Sequence, residues 1–401
     1  MLSDALRGRL VDLDSHLMLF PGTAEEILGP GPGGGVWQSR RGGWSTVDEI
    51  RQMVLDEGLD PSGDGSALVD RRDQARDDVW GVKLWGAHGA QVAADRVDAI
   101  EKMGIGHQLV FSQFMEAPLN MAGPEALGAV RRYNDYVLDW AKDGAGRILP
   151  VCLINTHDVD KALVEARRIL DGGGSGVQLS GLLPPAGFSP AAPEWDPLWA
   201  MLSEAGVPAL LHYGSAAGAD FTIHPDWYTA ANRTLRPPPG DPDEGNFHAP
   251  PFIWMTAHIY AELTLTSMVL GGVFERHPGL RFGVVESGGS WVASWCDRMD
   301  NLAVTTSRYL GRHLPMRPSE YVRRQVRVAP FPFEPVGAWI ERSGLEEVYC
   351  FSTDYPHEEG GVDPVSGFLA SVAPLGPAVA ERFFVSNGAE LLPRGAAQRS
   401  K

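Results

Sequence analysis

A chain of 401 residues, 44% hydrophobic and 21% charged, carries enough apolar content for a substantial core in one large domain or two ordinary ones. Its net charge of -17, with no gathering of Lys and Arg, argues against a nucleic-acid surface and against docking on an anionic membrane. No stretch reaches the length of an apolar membrane span, and the N-terminal MLSDALRGRLVDLDSH lacks the apolar centre of a secretory signal, so a cytoplasmic protein acting on a small molecule is expected.

Short apolar runs recur along the chain, each followed by a longer amphipathic stretch. Leu10–Leu13 reads as a first strand and His107–Phe111 as a second, followed by a helical pattern from about Pro124 to Lys142. Ile148–Ile154 reads as a third strand, and Asp158 is suited to cap the helix after it. Gly176–Leu179, Ala209–His212, Phe282–Glu286, Gln325–Ala329 and Val348–Ser352 complete eight candidate strands. Most lack polar alternation, the mark of a parallel sheet buried on both faces. Eight such units predict one (β/α)8 barrel spanning residues 1–401. An open doubly wound sheet would place a Gly-rich phosphate turn after its first strand, where this chain has Asp-Ser-His.

Two insertions follow the first and fifth strands, at about 20–76 and 215–251. Both leave the strand ends where barrels build active sites, which makes them candidate lids. Their aromatic residues and neighbours (Trp37, Trp44, Trp80, Trp85, Phe221, Trp227, Tyr228, Trp254) could either form a flat pocket or pack the lids themselves. Cys152, Cys296 and Cys350 sit in apolar segments with no CxxC spacing and are expected to be buried, reduced thiols.

The chemistry is suggested by what ends the strands. Asp14 and His16 follow the first strand, His212 ends the fifth, Glu286 the sixth, and Asp354 the eighth. Positions i and i+2 of an extended segment point the same way, so Asp14 and His16 can converge. A single polar residue at a strand end is ordinarily a turn or hydrogen-bonding residue. Several around one barrel mouth would repel one another or suffer desolvation unless a cation held them. Mixed imidazole and carboxylate donors suit Zn²⁺ best, with Mn²⁺ or Fe²⁺ as alternatives.

These residues also resemble a family. The Asp12–His16 start (DLDSH), LLHYG at the fifth strand, GGVFERHPGLRFGVVESGGSW, FSTDYPHEEG and the late FFVSN are similar to amidohydrolase-related enzymes, in the branch containing aminocarboxymuconate-semialdehyde decarboxylase. The resemblance runs from about residue 10 to 392. It implies a distorted (β/α)8 barrel with one divalent metal, and places the ligands at Asp14, His16, His212 and Asp354. Relatives commonly form dimers, and the residues alone do not choose an oligomeric state. Two departures stand out: Asp-x-His replaces the commoner His-x-His or Glu-x-His, and Glu286 stands where many members place a His. No Lys follows the fourth strand (GVQLSG), so a carbamylated lysine bridging two metals is not expected.

The expected activity is hydrolysis of a small cyclic or aromatic amide, ester or lactone by activated water, with Asp354 moving the proton and Glu286 as second acid or base. His357 and His258 are further candidates for the pocket, with helix capping and a helix surface as their structural alternatives. The rival reaction is non-oxidative decarboxylation, which needs an acid near neutrality. A catalytically silent barrel is the third reading.

Overall fold

The computed structural model describes residues 5–38, 45–62, 75–180, 185–213 and 255–394. Seven strands form one parallel sheet in chain order: β1 (Leu10–Asp12), β2 (Ile105–Val110), β3 (Ile148–Ile154), β4 (Gly176–Leu179), β5 (Ala209–His212), β6 (Phe282–Val285) and β7 (Val326–Val328). Nearly every strand residue is buried, as continuous Val, Ile and Leu runs require. The expected bounds of β3, β4 and β5 are those observed.

The eighth expected strand, Val348–Ser352, is not an extended ladder. It meets β7 through a bridge from Tyr349 to Val328, with Cys350 N donating to Val328 O at 3.0 Å. It then changes partner: Leu13 N donates to Phe351 O (3.2 Å) and Asp354 N to Asp14 O (2.8 Å). Because the segment switches sides at Cys350–Phe351, neither flank sustains a run of paired residues. It nonetheless connects the last strand of the sheet to the first.

Helices of the outer layer follow the strands. Those that bear on the site are α1 (Pro21–Leu28), α2 (Thr46–Asp56), α3 (Ala93–Met103), α4 (Pro124–Trp140), α5 (Val159–Asp171) and α6 (Ile259–Leu270). Asp158 caps α5, its carboxylate accepting from Lys161 N at 3.0 Å. A large apolar cluster joins helices to strands, while a smaller one lines the inside of the curled sheet. The inner cluster gathers Val11, Leu109, Val151, Leu210, Val285 and Cys350, each from a different element. A Cβ on Gly176 would lie 2.6 Å from the Leu210 side chain and one on Gly283 2.5 Å, so these two glycines make the space that Leu210 fills.

The insertion after β1 is partly described, and its described part is packed. Arg132 of α4 donates to the carbonyls of Ile27 (2.8 Å) and Leu28 (2.6 Å) at the end of α1. Trp37 and Trp85 are buried, donating to Leu28 O and Leu19 O, and Trp80 meets Tyr355 edge-on. Arg132 thus ties the segment to the body of the protein, and Trp37 braces it internally. Trp44 and the whole of 215–251, with Phe221, Trp227 and Tyr228, lie outside the described residues, as does Trp254. Cys152, Cys296 and Cys350 are free and buried, as expected. Among the described residues no helix is long and apolar enough to cross a membrane.

Candidate metal centre

Beyond Asp12 the chain stays extended between the continuation of β2 and the segment 351–355. Ser15 Oγ donates to Leu109 O at 2.8 Å, Phe111 N to Ser15 O at 2.7 Å, and His16 N to Tyr355 O at 2.7 Å. Held on both sides, Asp14 and His16 turn their side chains to one point, with Asp14 Oδ1 3.5 Å from His16 Nε2. From β5, His212 brings its Nε2 within 3.1 Å of His16 Nε2 and 3.4 Å of Asp14 Oδ1. From the segment after β7, Asp354 Oδ1 lies 3.2 Å from His16 Nε2. Glu286, just past β6, places Oε2 3.0 Å from His212 Nε2. Five residues separated by as many as 340 positions thus meet, all with side chains at most 8% exposed.

Glu286 and Asp354 have φ of 51° and 53°, in the left-handed region that costs a non-glycine residue energy. Both strand ends therefore take up a strained backbone to deliver a carboxylate to the centre.

His357 stacks on His16 with ring centroids 3.9 Å apart, and its Nδ1 lies 2.9 Å from Asp354 Oδ1. Its Nε2 faces Gln113 Oε1 at 2.9 Å. It joins the centre, and does not cap the turn that follows it. His258 belongs to none of these groups: it stands at the start of α6, half-buried, with its ring stacked on Trp291 at 6.1 Å.

Hydrogen bonding around the centre is incomplete in a consistent way. Asp14 Oδ1, both oxygens of Asp354, His16 Nδ1 and His357 Nδ1 are buried with no partner in hydrogen-bonding geometry. His212 is fixed differently, its Nδ1 donating to the Tyr213 carbonyl, which leaves the Nε2 lone pair facing the centre. Burial works against the charged imidazoles of His16 and His212, but adjacent Asp14 and Asp354 raise both pKa values overall. Burial likewise works against ionised Asp14 and Asp354. His212 and His16 outweigh it for Asp14, and His357 and His16 for Asp354, so both carboxyls lie below their ordinary range.

Lone pairs and negative charge converging without a donor are what a cation resolves. Two donors about 2.1 Å from one ion at tetrahedral or octahedral angles stand about 3.0–3.4 Å apart. Asp14, His16 and His212 stand 3.1–3.5 Å apart, close to that spacing, and form one group of ligand atoms with Glu286, while Asp354 joins through His16 at 3.2 Å and groups with His16 and His357. The residues present therefore fit a divalent ion.

Three contributors escape a reading of the sequence alone. Glu359 shares a group with Glu286, Asp354 and His357 whose ligand atoms lie within 4.8 Å of one another. Burial, then Asp354, raises its pKa. The acidic pair after TDYPH is the signal that could have found it. Gln113 stands just beyond β2, a polar residue past a strand end in the manner of Asp14 and Glu286. Lys83 donates to Gly361 O at 2.6 Å, and burial lowers its pKa despite Asp354 and Glu358 nearby.

Residues 108–394 match the family described as Amidohydrolase. The chain belongs to the amidohydrolase family. It is similar to an amidohydrolase from Mycobacterium avium subsp. paratuberculosis K-10, at 20% identity and a TM-score of 0.67, over 96% of this chain and 98% of that one. It is also similar to 5-carboxyvanillate decarboxylase from Sphingomonas paucimobilis (15%, TM-score 0.59, 96% and 98% covered). A third similar structure is dihydroxybenzoic acid decarboxylase from Polaromonas sp. JS666 with manganese and 2-nitroresorcinol bound (15%, TM-score 0.59, 98% and 97%). At these identities the likeness is one of fold. No curated protein matches the chain significantly.

Proposed function

We propose that this amidohydrolase is a metal-dependent hydrolase of a small, neutral cyclic or aromatic amide, ester or lactone. One divalent ion would be held by Asp14, His16, His212 and Asp354. The donor set suits Zn²⁺, and the manganese in the Polaromonas relative makes Mn²⁺ an equal candidate. When bound, the ion would supply Lewis acidity, lowering the pKa of water and polarising the scissile carbonyl.

The observation that carries the reading is the charge of the centre. Four carboxylates line the centre in two overlapping groups, Asp14 with Glu286 and Glu286 with Asp354 and Glu359, so carboxylates outnumber the charges of one divalent ion and of Lys83 beside them. Such a site disfavours a substrate that must bring its own carboxylate to the ion. It favours proton transfer between water and a leaving group, which carboxylates perform. Asp354 takes the proton of the attacking water on Oδ2, which has no hydrogen-bond partner, and returns it to the leaving atom. His357, 2.9 Å from Asp354 Oδ1, keeps that carboxylate in place and ionised. Glu286, paired with His212, orients the water or the substrate. His258 receives no role in this scheme.

The whole chain is read as one catalytic domain, the bridging segment 348–355 serving as eighth strand of a distorted (β/α)8 barrel. The described parts of 20–76, residues 20–38, 45–62 and 75–76, would cover the mouth, and the rest lies outside the described residues. Their exit is tied to the site, since Leu84 N donates to Pro356 O at 2.9 Å. The proposed second lid, 215–251, lies outside the described residues. Three buried free thiols suit a reducing cytoplasm.

Decarboxylation is the second reading, and one observation favours it. His357 puts an imidazole 2.9 Å from Asp354, a side chain that can donate a proton to a carbanion. Protein loaded with Zn²⁺ or Mn²⁺ and offered neutral lactones, aryl esters and cyclic amides in ¹⁸O-labelled water is expected to yield labelled acid. Release of CO₂ from hydroxybenzoates with no turnover of the neutral panel would establish decarboxylation instead.

A further inference from the structure

Behind the centre, on the helix-facing side of β1 and β2, lies a second set of buried polar groups. Asp12, Gln108 and Arg96 are all completely buried, and Thr353 is nearly so. Asp12 Oδ1 accepts from Thr353 N (2.8 Å) and Asp14 N (3.2 Å), and its Oδ2 accepts from Thr353 Oγ1 (2.6 Å) and Gln108 Nε2 (2.7 Å). Gln108 Oε1 accepts from Arg96 Nη1 at 3.1 Å. Arg96 also donates through Nη2 to His16 O and through Nε to Gly89 O, both at 2.7 Å, and its guanidinium lies 4.9 Å above the Tyr355 ring.

The direction of this chain is fixed by chemistry. A guanidinium only donates, so the oxygen of Gln108 must face Arg96 and its amide NH₂ must face Asp12. Asp12 must then accept, and four donors fill both its oxygens. Each end grips a residue carrying a group of the centre: the amide of Asp14, the carbonyl of His16, and the backbone just before Asp354. Asp12 holds Asp14 and Thr353 on one carboxylate, and so sets the separation of two proposed ligands that come from opposite ends of the chain.

We propose that Arg96, Gln108 and Asp12 act as a positioning relay that presets Asp14, His16 and Asp354 for a divalent ion. The inference rests on the metal reading above and adds residues that never touch the ion. Groups that orient metal ligands are worth about 10–100-fold in metal affinity. Asp12→Asn sets an NH₂ against the NH₂ of Gln108 without changing shape. Gln108→Glu alone sets two carboxylates face to face. The double variant Asp12→Asn/Gln108→Glu reverses the bond between the two residues and turns the Thr353 hydroxyl from donor to acceptor, preserves net charge, and still gives Arg96 an oxygen to bond.

The test is competition of the full-length, metal-stripped protein against a chromophoric chelator for Zn²⁺ and Mn²⁺, with the melting temperature of the stripped protein recorded beside it. Each single variant is expected to bind about 10–100-fold more weakly, and the double variant to return within about threefold of wild type. A role confined to the fold would lower the melting temperature and leave affinity unchanged; affinity of Asp12→Asn equal to wild type overturns the relay. So does a double variant that binds no more tightly than either single one. Should Asp12→Asn not fold, Gln108→Glu against the double variant decides in the same way. A wild-type chain that takes up neither ion removes the proposed function and the relay together, whereas metal binding indifferent to these substitutions removes the relay alone.

Discussion

Asp12 and Asp14 stand two residues apart on one short strand and its extension, equally buried, in opposite chemical situations. Asp12 has four donors on its two oxygens and nothing left to bond. Asp14 Oδ1 has none, and its neighbours at 3.4 and 3.5 Å are the imidazole nitrogens of His212 and His16. A buried carboxylate that is fully satisfied builds the scaffold, and one left open marks where something else binds. The difference separates frame from site within three residues of sequence.

The comparison breaks most visibly on the open side. Asp354→Asn is expected to lower turnover at least about 10³-fold, since it removes both a proposed ligand charge and the proton carrier. His212→Ala should match it and also lose metal, measured by elemental analysis of the purified variant. Near wild-type activity in either variant would cancel the ligand and proton-carrier roles of these two residues. Glu286→Gln keeps the size of the side chain and removes its charge, with an expected loss of about 10²-fold in kcat and metal retained. A mild effect would return Glu286 to structure.

Acid offers a way to sharpen the same contrast without a substitution. Metal binding requires both imidazoles unprotonated at the ion. His16 and His212 have pKa values raised above the ordinary 6.5, so in the metal-free protein they hold their protons to higher pH than a free imidazole. Affinity for Zn²⁺ or Mn²⁺ should therefore begin to fall above pH 6.5 on acidification, by about tenfold per pH unit for each histidine titrating. Chelator competition from about pH 8.5 down to about 5.5 measures it. Affinity flat down to about pH 6 would mean that these two imidazoles are not the donors.

Sequence disclosed the centre better than its frame, for a physical reason. Asp14, His16, His212, Glu286 and Asp354 each end an apolar run, where a polar residue is conspicuous. Asp12 and Gln108 sit inside strands, where nothing in a linear reading tells which partner crosses from β1 to β2 or from a helix. Arg96 looks like any charged residue on an amphipathic helix until the packing of α3 is known. The segment 348–352 was legible as an apolar run, but its change of partner between β7 and the chain after β1 depends on how the sheet curls. His258 shows the opposite ambiguity, a histidine near a helix start that a linear reading leaves open and whose ring stacks on Trp291.

Glu359 gives the smallest expected effect and the most specific one. It adds a fourth carboxylate to the centre, near Asp354 and His357, yet bonds to no ligand in the proposed scheme. Glu359→Gln should change KM for a neutral substrate by less than about threefold, because no contact to such a substrate depends on its charge. For a carboxylate-bearing inhibitor the outcome differs. At a pH above the raised pKa of Glu359, removing its negative charge a few ångströms away in a partly buried site relieves about 1–2 kcal/mol of repulsion, so binding should tighten about tenfold. Equal effects on neutral and anionic ligands would mean that the negative field of the centre does not select its substrate, and the preference for hydrolysis over decarboxylation would lose its footing.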